Sequence, residues 1–154
     1  MAGDAEVSPA TLTRRAALAA TTLLLHARAR AAEPELADAV RAWAGGTAPR
    51  DGRVTIEIAP LVENGNAVPV TVRVQSPMTE ADHVREIAFF NERNPQRDVL
   101  RATLGPANPR AEISTRIRLA TSQQLVALAR MSDGSIWQQR VDVVVTLAAC
   151  IEGG

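Results

Sequence analysis

One cysteine, Cys150, serves all 154 residues, so the chain cannot close an internal disulfide. Aromatic residues make up only 3%, with no tyrosine, which removes the stacking platforms that single-stranded nucleic acids need. Neither sign of charge is in excess, at 17 Lys+Arg against 17 Asp+Glu. A nucleic-acid or anionic-membrane surface needs a basic surplus, so neither partner is expected. No apolar run approaches the roughly 18–20 residues of a membrane span. The two histidines are His26 and His83. With Cys150 they are too few for a zinc site, which takes three or four protein ligands. The sequence contains no Gly-rich phosphate loop and no G-x-S-x-G elbow, and its acids are scattered. Met78 and Met131 read as adaptable packing rather than copper ligands. The expectation is a protein without metal, cofactor or self-contained active site.

What is present starts with an export-like N-terminus. Arg14-Arg15 precede the moderately apolar stretch Ala16 to Leu25, and Ala27-Arg28-Ala29-Arg30-Ala31-Ala32 follows with small residues at A-x-A spacing. This is the layout of a secretory signal, and the arginine pair matches the twin-arginine class. The plainer alternative is an amphipathic surface helix with an incidental Arg-Arg. Taking 1–32 as a removable signal leaves roughly 120 residues, the commonest size of one domain.

In the remainder, Glu33-Pro34-Glu35 opens a short helix, with Leu36, Ala39, Val40 and Trp43 on one stripe and Gly45-Gly46 as its stop. The period then becomes two. Strands are expected at Val54–Ile58, Val68–Val74, His83–Asn91, Val99–Leu104, Ile113–Leu119, Gln124–Met131 and Ile136–Leu147. Asn64-Gly65 and Asp133-Gly134 read as hairpin turns. Gln124–Met131 is apolar on both faces, as in a central strand. About seven strands separated by frequent turn signals predict an all-β, immunoglobulin-like antiparallel sandwich over 33–147, carrying a short N-terminal helix.

The cysteine stands in the tail Ala148-Ala149-Cys150-Ile151-Glu152-Gly153-Gly154. Those seven residues extend at most about 23–25 Å. Terminal glycines loosen the backbone, and mobility concentrates at chain ends. A thiol there is offered outward. Its thiolate, with an ordinary pKa of about 8.5, forms reversible sulfur adducts. An exposed free thiol is a liability in an oxidising compartment, so a lone one on a terminal arm reads as a working group, a tether for cargo. The plainer alternative is a cysteine packed at the sheet edge or without a role. A Cys150–His83 nucleophilic pair is possible on paper; otherwise His83 is a polar residue at a strand start.

Four stretches, with the signal and the terminal cysteine, resemble the SoxY family of the bacterial thiosulfate-oxidising (Sox) system. They are Glu63-Asn64-Gly65-Asn66-Ala67-Val68-Pro69-Val70, Ser76-Pro77-Met78-Thr79, Arg110–Ala120 and Met131-Ser132-Asp133-Gly134-Ser135. The resemblance implies an immunoglobulin-like sandwich, a periplasmic location and a heterodimer with a SoxZ-like subunit. It also implies that Cys150 carries thiosulfate-derived sulfur covalently while Sox cytochromes and a hydrolase act on the cargo. The tail departs from the family's Gly-Gly-Cys-Gly-Gly. Ala148-Ala149 and Ile151-Glu152 flank the cysteine instead. Ile151 is β-branched and stiff, and Glu152 sets a negative charge beside an anionic cargo. Cys150 is therefore carried over as the attachment residue and the adjacent glycines are not. The alternative is a diverged binding module that pairs with a SoxZ-like subunit and carries no sulfur.

Overall fold

The computed structural model describes residues 35–147. The expected signal, the Cys150 thiol and the arm of Ala148, Ala149, Ile151, Glu152, Gly153 and Gly154 lie outside them. A helix, α1, covers 35–44 and is followed by nine strands: β1 Arg50–Asp51, β2 Val54–Glu57, β3 Leu61–Asn64, β4 Val68–Val74, β5 Val84–Asn91, β6 Asp98–Thr103, β7 Ala111–Ile117, β8 Gln123–Met131 and β9 Ile136–Leu147. The strands form two layers. One sheet runs β1-β9-β8-β5-β6, with β3 also on β9; the other runs β2-β4-β7.

Alternation builds the space between the layers. In β4, Val68, Val70, Val72 and Val74 are buried, while Pro69 and Arg73 face solvent. The valines meet Ile87 and Phe89 of β5 and Leu125, Ala127 and Ala129 of β8 in one apolar core. β5 and β8 are buried on their other face as well, because α1 lies over them. Leu36, Val40, Trp43 and Ala44 cover Ala88, Phe90, Val126, Leu128 and Ile136. This explains why β8 is apolar on both faces. Gly45 and Gly46 take φ of +62° and +91°, conformations that suit glycine, and end the helix.

The helix is pinned as well as buried. Trp43 Nε1 donates to Glu86 Oε1 at 3.1 Å, and Arg130 donates to the Trp43 carbonyl at 2.7 Å. The Arg130 guanidinium also sits 4.7 Å from the centre of the indole ring, a cation–π distance.

All seven expected strands are present, and two short ones add to them. β1 and β3 both pair with β9 in parallel, whereas every other pairing is antiparallel. Between them the chain crosses to the second sheet as β2. The Asn64-Gly65 turn therefore links the two sheets, from β3 to β4, and is not a hairpin. Asp133-Gly134 does close the β8–β9 hairpin, with Gly134 at φ +82°.

Candidate functional site at the root of the C-terminal arm

β9 outruns its neighbour. Its last pairing with β8 is Val143 opposite Gln123. Val144–Leu147 continue beyond it, held on the other side by β3, with Leu61 opposite Val144, Val62 opposite Val145 and Asn64 opposite Leu147. Ser122 takes the place of the missing β8 residue: its hydroxyl accepts the Val145 amide at 2.9 Å. The Val144 amide donates to the Pro60 carbonyl at 2.9 Å, and the Thr146 hydroxyl to the Glu63 carbonyl at 3.2 Å. At the last described residue, the Gly65 amide donates to the Leu147 carbonyl at 3.0 Å, while the Gly65 carbonyl accepts the Leu119 amide at 2.8 Å. The Asn66 amide turns back onto Asn64 Oδ1 at 2.9 Å, fixing the turn itself. The backbone is thus anchored up to the residue before the arm begins.

A second network stiffens the same end. Asn94 Oδ1 accepts the Ala120 amide at 3.0 Å and Gln123 Nε2 at 2.8 Å, and its Nδ2 donates to the Arg118 carbonyl at 2.7 Å. Glu92, nearly buried, accepts the Gln124 amide at 3.0 Å. These bonds tie the β5–β6 loop to the connection between β7 and β8. In the sequence, Asn94-Pro95 reads only as a break in the chain. The spacing of Asn91 and Asn94, two residues prone to local backbone bonding, was the available hint.

The rim of the exit is apolar. Leu61, Val144 and Leu147 are 57%, 52% and 61% exposed, the large hydrophobic side chains most open to solvent among the described residues. From Leu147, the three residues to position 150 reach at most about 10–11 Å.

His83 is at the other end of the molecule. It precedes β5, its amide donates to Ser132 Oγ at 3.1 Å, and its Nδ1 is 3.0 Å from the Thr79 carbonyl oxygen. That end adjoins the start of β9, whose 12 residues span about 36 Å at roughly 3.3 Å each. That span is about three times the reach from Leu147 to position 150, so geometry opposes a Cys–His pair within one molecule. Met78 and Met131 are buried in the core, as expected of packing residues, and Met78 Sδ lies 3.5 Å from the Val84 amide. Among the described residues no group of three or more His, Cys, Asp or Glu could hold a metal. Nor is any of their helices long and apolar enough to cross a membrane.

Two charged groups are biased by their neighbours. Arg73 is held in its charged form chiefly by Glu112, with Glu57 adding to it. Asp133 is held below the usual carboxylate range by hydrogen bonds from Ser135.

The family described as "Sulfur oxidation protein SoxY" matches residues 40–150, well over half of the chain. The chain belongs to the SoxY family. Among solved structures, the sulfur carrier protein SoxY from Chlorobium limicola f thiosulfatophilum is similar, with a TM-score of 0.62 and 27% identity, covering 75% of this chain and 99% of that one. The SoxY-type sandwich is also shared more distantly with a superoxide reductase (neelaredoxin) from Ignicoccus hospitalis, at a TM-score of 0.54 and 22% identity over 60% of this chain and 78% of that one. That likeness is one of fold. No curated protein matches the sequence. The SoxY stretches noted above gather at the two ends of the sandwich: Glu63–Val70 and Arg110–Ala120 meet at the arm root through Gly65 and Leu119, and Ser76–Thr79 and Met131–Ser135 lie at the end where β9 begins.

Proposed function

We propose that this chain is a covalent carrier, and not an enzyme, in a sulfur-oxidising system. It carries thiosulfate-derived sulfur on Cys150 and presents it to other proteins. The observation that carries this reading is that the family match runs to residue 150, the only cysteine. Joining the thiolate to thiosulfate makes a sulfur–sulfur bond between two anions, so two electrons must leave. A partner cytochrome supplies that acceptor. Hydrolysis by a partner enzyme then releases sulfate and leaves a persulfide on Cys150. A partner cytochrome takes six more electrons as that outer sulfur is oxidised, with oxygen from water, to the sulfonate level, and a second hydrolysis releases sulfate and frees the thiolate. The anchored backbone up to Leu147 favours such a device, since it gives a tether a fixed base. The protein works in the periplasm, exported by its twin-arginine signal, as a heterodimer with a SoxZ-like subunit.

Intact-mass measurement of the reconstituted system during thiosulfate turnover tests the proposal. A sulfur-containing adduct is expected on the wild-type chain and none on Cys150→Ser, which folds normally and does not support turnover. Unchanged turnover by that variant would end the proposal.

The tail sequence favours a second reading. Ala148-Ala149 and Ile151-Glu152 replace glycines around the cysteine, which suits a diverged subunit that pairs with its partner and stays unloaded. That reading requires complex formation with no adduct on Cys150 under any loading condition.

A further inference from the structure

The sandwich closes on one side and stays open on the other. On the closed side, the chain itself steps from β1 across to β2 and back to β3. On the open side, β6 and β7 are the last strands of their sheets, each with a single neighbour. Between them lies a cleft of about 290 Å³ whose lining includes Asn94, Gln96, Val99, Leu100, Thr115 and Arg116.

The two open edges are not equivalent. β6 shifts register against β5 between Phe89 and Phe90, the kind of irregularity that spoils an edge as a template. β7 pairs with β4 over seven consecutive residues without interruption, Ala111 to Ile117. It contains no proline, so one common guard of sheet edges is missing. The remaining edges belong to β1, β2 and β3, of two, four and four residues. Among the described residues, β7 therefore presents the longest regular row of unpaired backbone groups.

Charge indicates what that row would accept. Glu112 is engaged with Arg73 at 2.7 Å. Arg116 stands opposite Pro69 on β4, so no acid faces it across the sheet. Among the described residues, neither Arg110, Arg116 nor Arg118 joins an ion pair. We infer that the β7 edge takes up an extended acidic segment of a partner protein as an added strand. Backbone bonds supply the affinity, and the arginines select carboxylate side chains. A second copy of this chain fits less well. A twofold axis at Ser114 would set Arg110 against Arg118 of a second copy, and the Glu112 needed to answer Arg116 is already held by Arg73. The inference rests on the proposed carrier working with partners, and it specifies the chemistry of one contact.

The test uses the full ¹⁵N-labelled chain and a blocked synthetic peptide, Glu-Val-Thr-Val-Glu-Val-Thr. Saturable amide shifts are expected within Ala111–Ile117. Replacing the two peptide glutamates by lysine should weaken binding by about tenfold or more, and so should Arg116→Glu with Arg118→Glu. Arg116→Gln, which introduces no repulsion, checks any loss against misfolding. Shifts elsewhere, no shift at all, equal binding of both peptides, or β7 protection that grows with protein concentration alone would each overturn the inference. The carrier reading fails separately. A chain that assembles with a SoxZ-like subunit and carries sulfur, yet leaves β7 amides free to exchange and takes no peptide, overturns the edge assignment only. A chain that takes the peptide on β7 but never carries sulfur overturns the carrier reading only.

Discussion

The Gly65 amide and the Leu147 carbonyl are joined by a 3.0 Å hydrogen bond that links the turn between the sheets to the last described residue of the final strand. With the Ser122 hydroxyl and the Pro60 carbonyl it makes a collar of hydrogen bonds around the backbone of Val144–Leu147. Removing one member should loosen the collar without unfolding the sandwich. Ser122→Ala leaves the Val145 amide without its acceptor at 2.9 Å. Because the bond is exposed and water can replace the acceptor, a cost of about 0.5–1 kcal/mol is expected. Amide exchange should quicken at Val144–Leu147 while β5 and β8 stay protected. Equal quickening throughout the sheet would count against a local collar.

Trp43 is the anchor of the helix. It is buried, bonded to Glu86 and covered by Arg130. Trp43→Ala should destabilise the protein by about 3–5 kcal/mol, as for other large buried aromatics. Trp43→Phe keeps most of the apolar contact and loses the hydrogen bond, so it should cost less. Urea unfolding of the two variants gives the comparison. Equal losses would mean that the hydrogen bond, and not burial, dominates.

His83 should be dispensable for sulfur chemistry. Its ring lies beside Thr79, about 36 Å along β9 from the arm root. His83→Ala should support thiosulfate turnover at the wild-type rate in the reconstituted system. A large drop without loss of folding would restore a catalytic role for the imidazole.

The β8–β9 turn should respond to acid. Asp133 accepts the Ser135 amide at 2.9 Å, and its carboxyl pKa is lowered by that residue. A carboxylate with a depressed folded-state pKa contributes stability that is complete above its ordinary value of 3.8 and is lost as pH falls through the folded-state value. NMR titration should show the Ser135 amide moving with Asp133 protonation below about pH 4. In Asp133→Ala that movement should vanish.

Much of the sandwich was legible because period-two alternation is a local signal. The valines of β4 and the two-faced β8 report their burial directly in the sequence. The helix stripe of Leu36, Val40 and Trp43 was legible for the same reason. β1 and β3 were not. Each is short, and each exists as a strand only because distant β9 lies alongside it in parallel. The turn at Gly65 was visible as a turn, but not as a bridge between sheets, since that depends on where β3 goes. The polar ties of Asn94 and Ser122 were hidden because their partners are remote in sequence. Of the candidate site, the thiol and its terminal position were plain in the sequence, and the collar beneath it was not.

β9 sits inside its sheet, with β8 on one flank and β1 and β3 on the other. Among the described residues it is also the last strand to be synthesised. Until it emerges, the earliest strands of the large sheet have nothing to join, and α1 has only part of its apolar bed, because Ile136 is missing. A product of translation that stops before β9 therefore exposes unpaired strand edges. Any chain that completes its large sheet has been synthesised to within a few residues of the thiol.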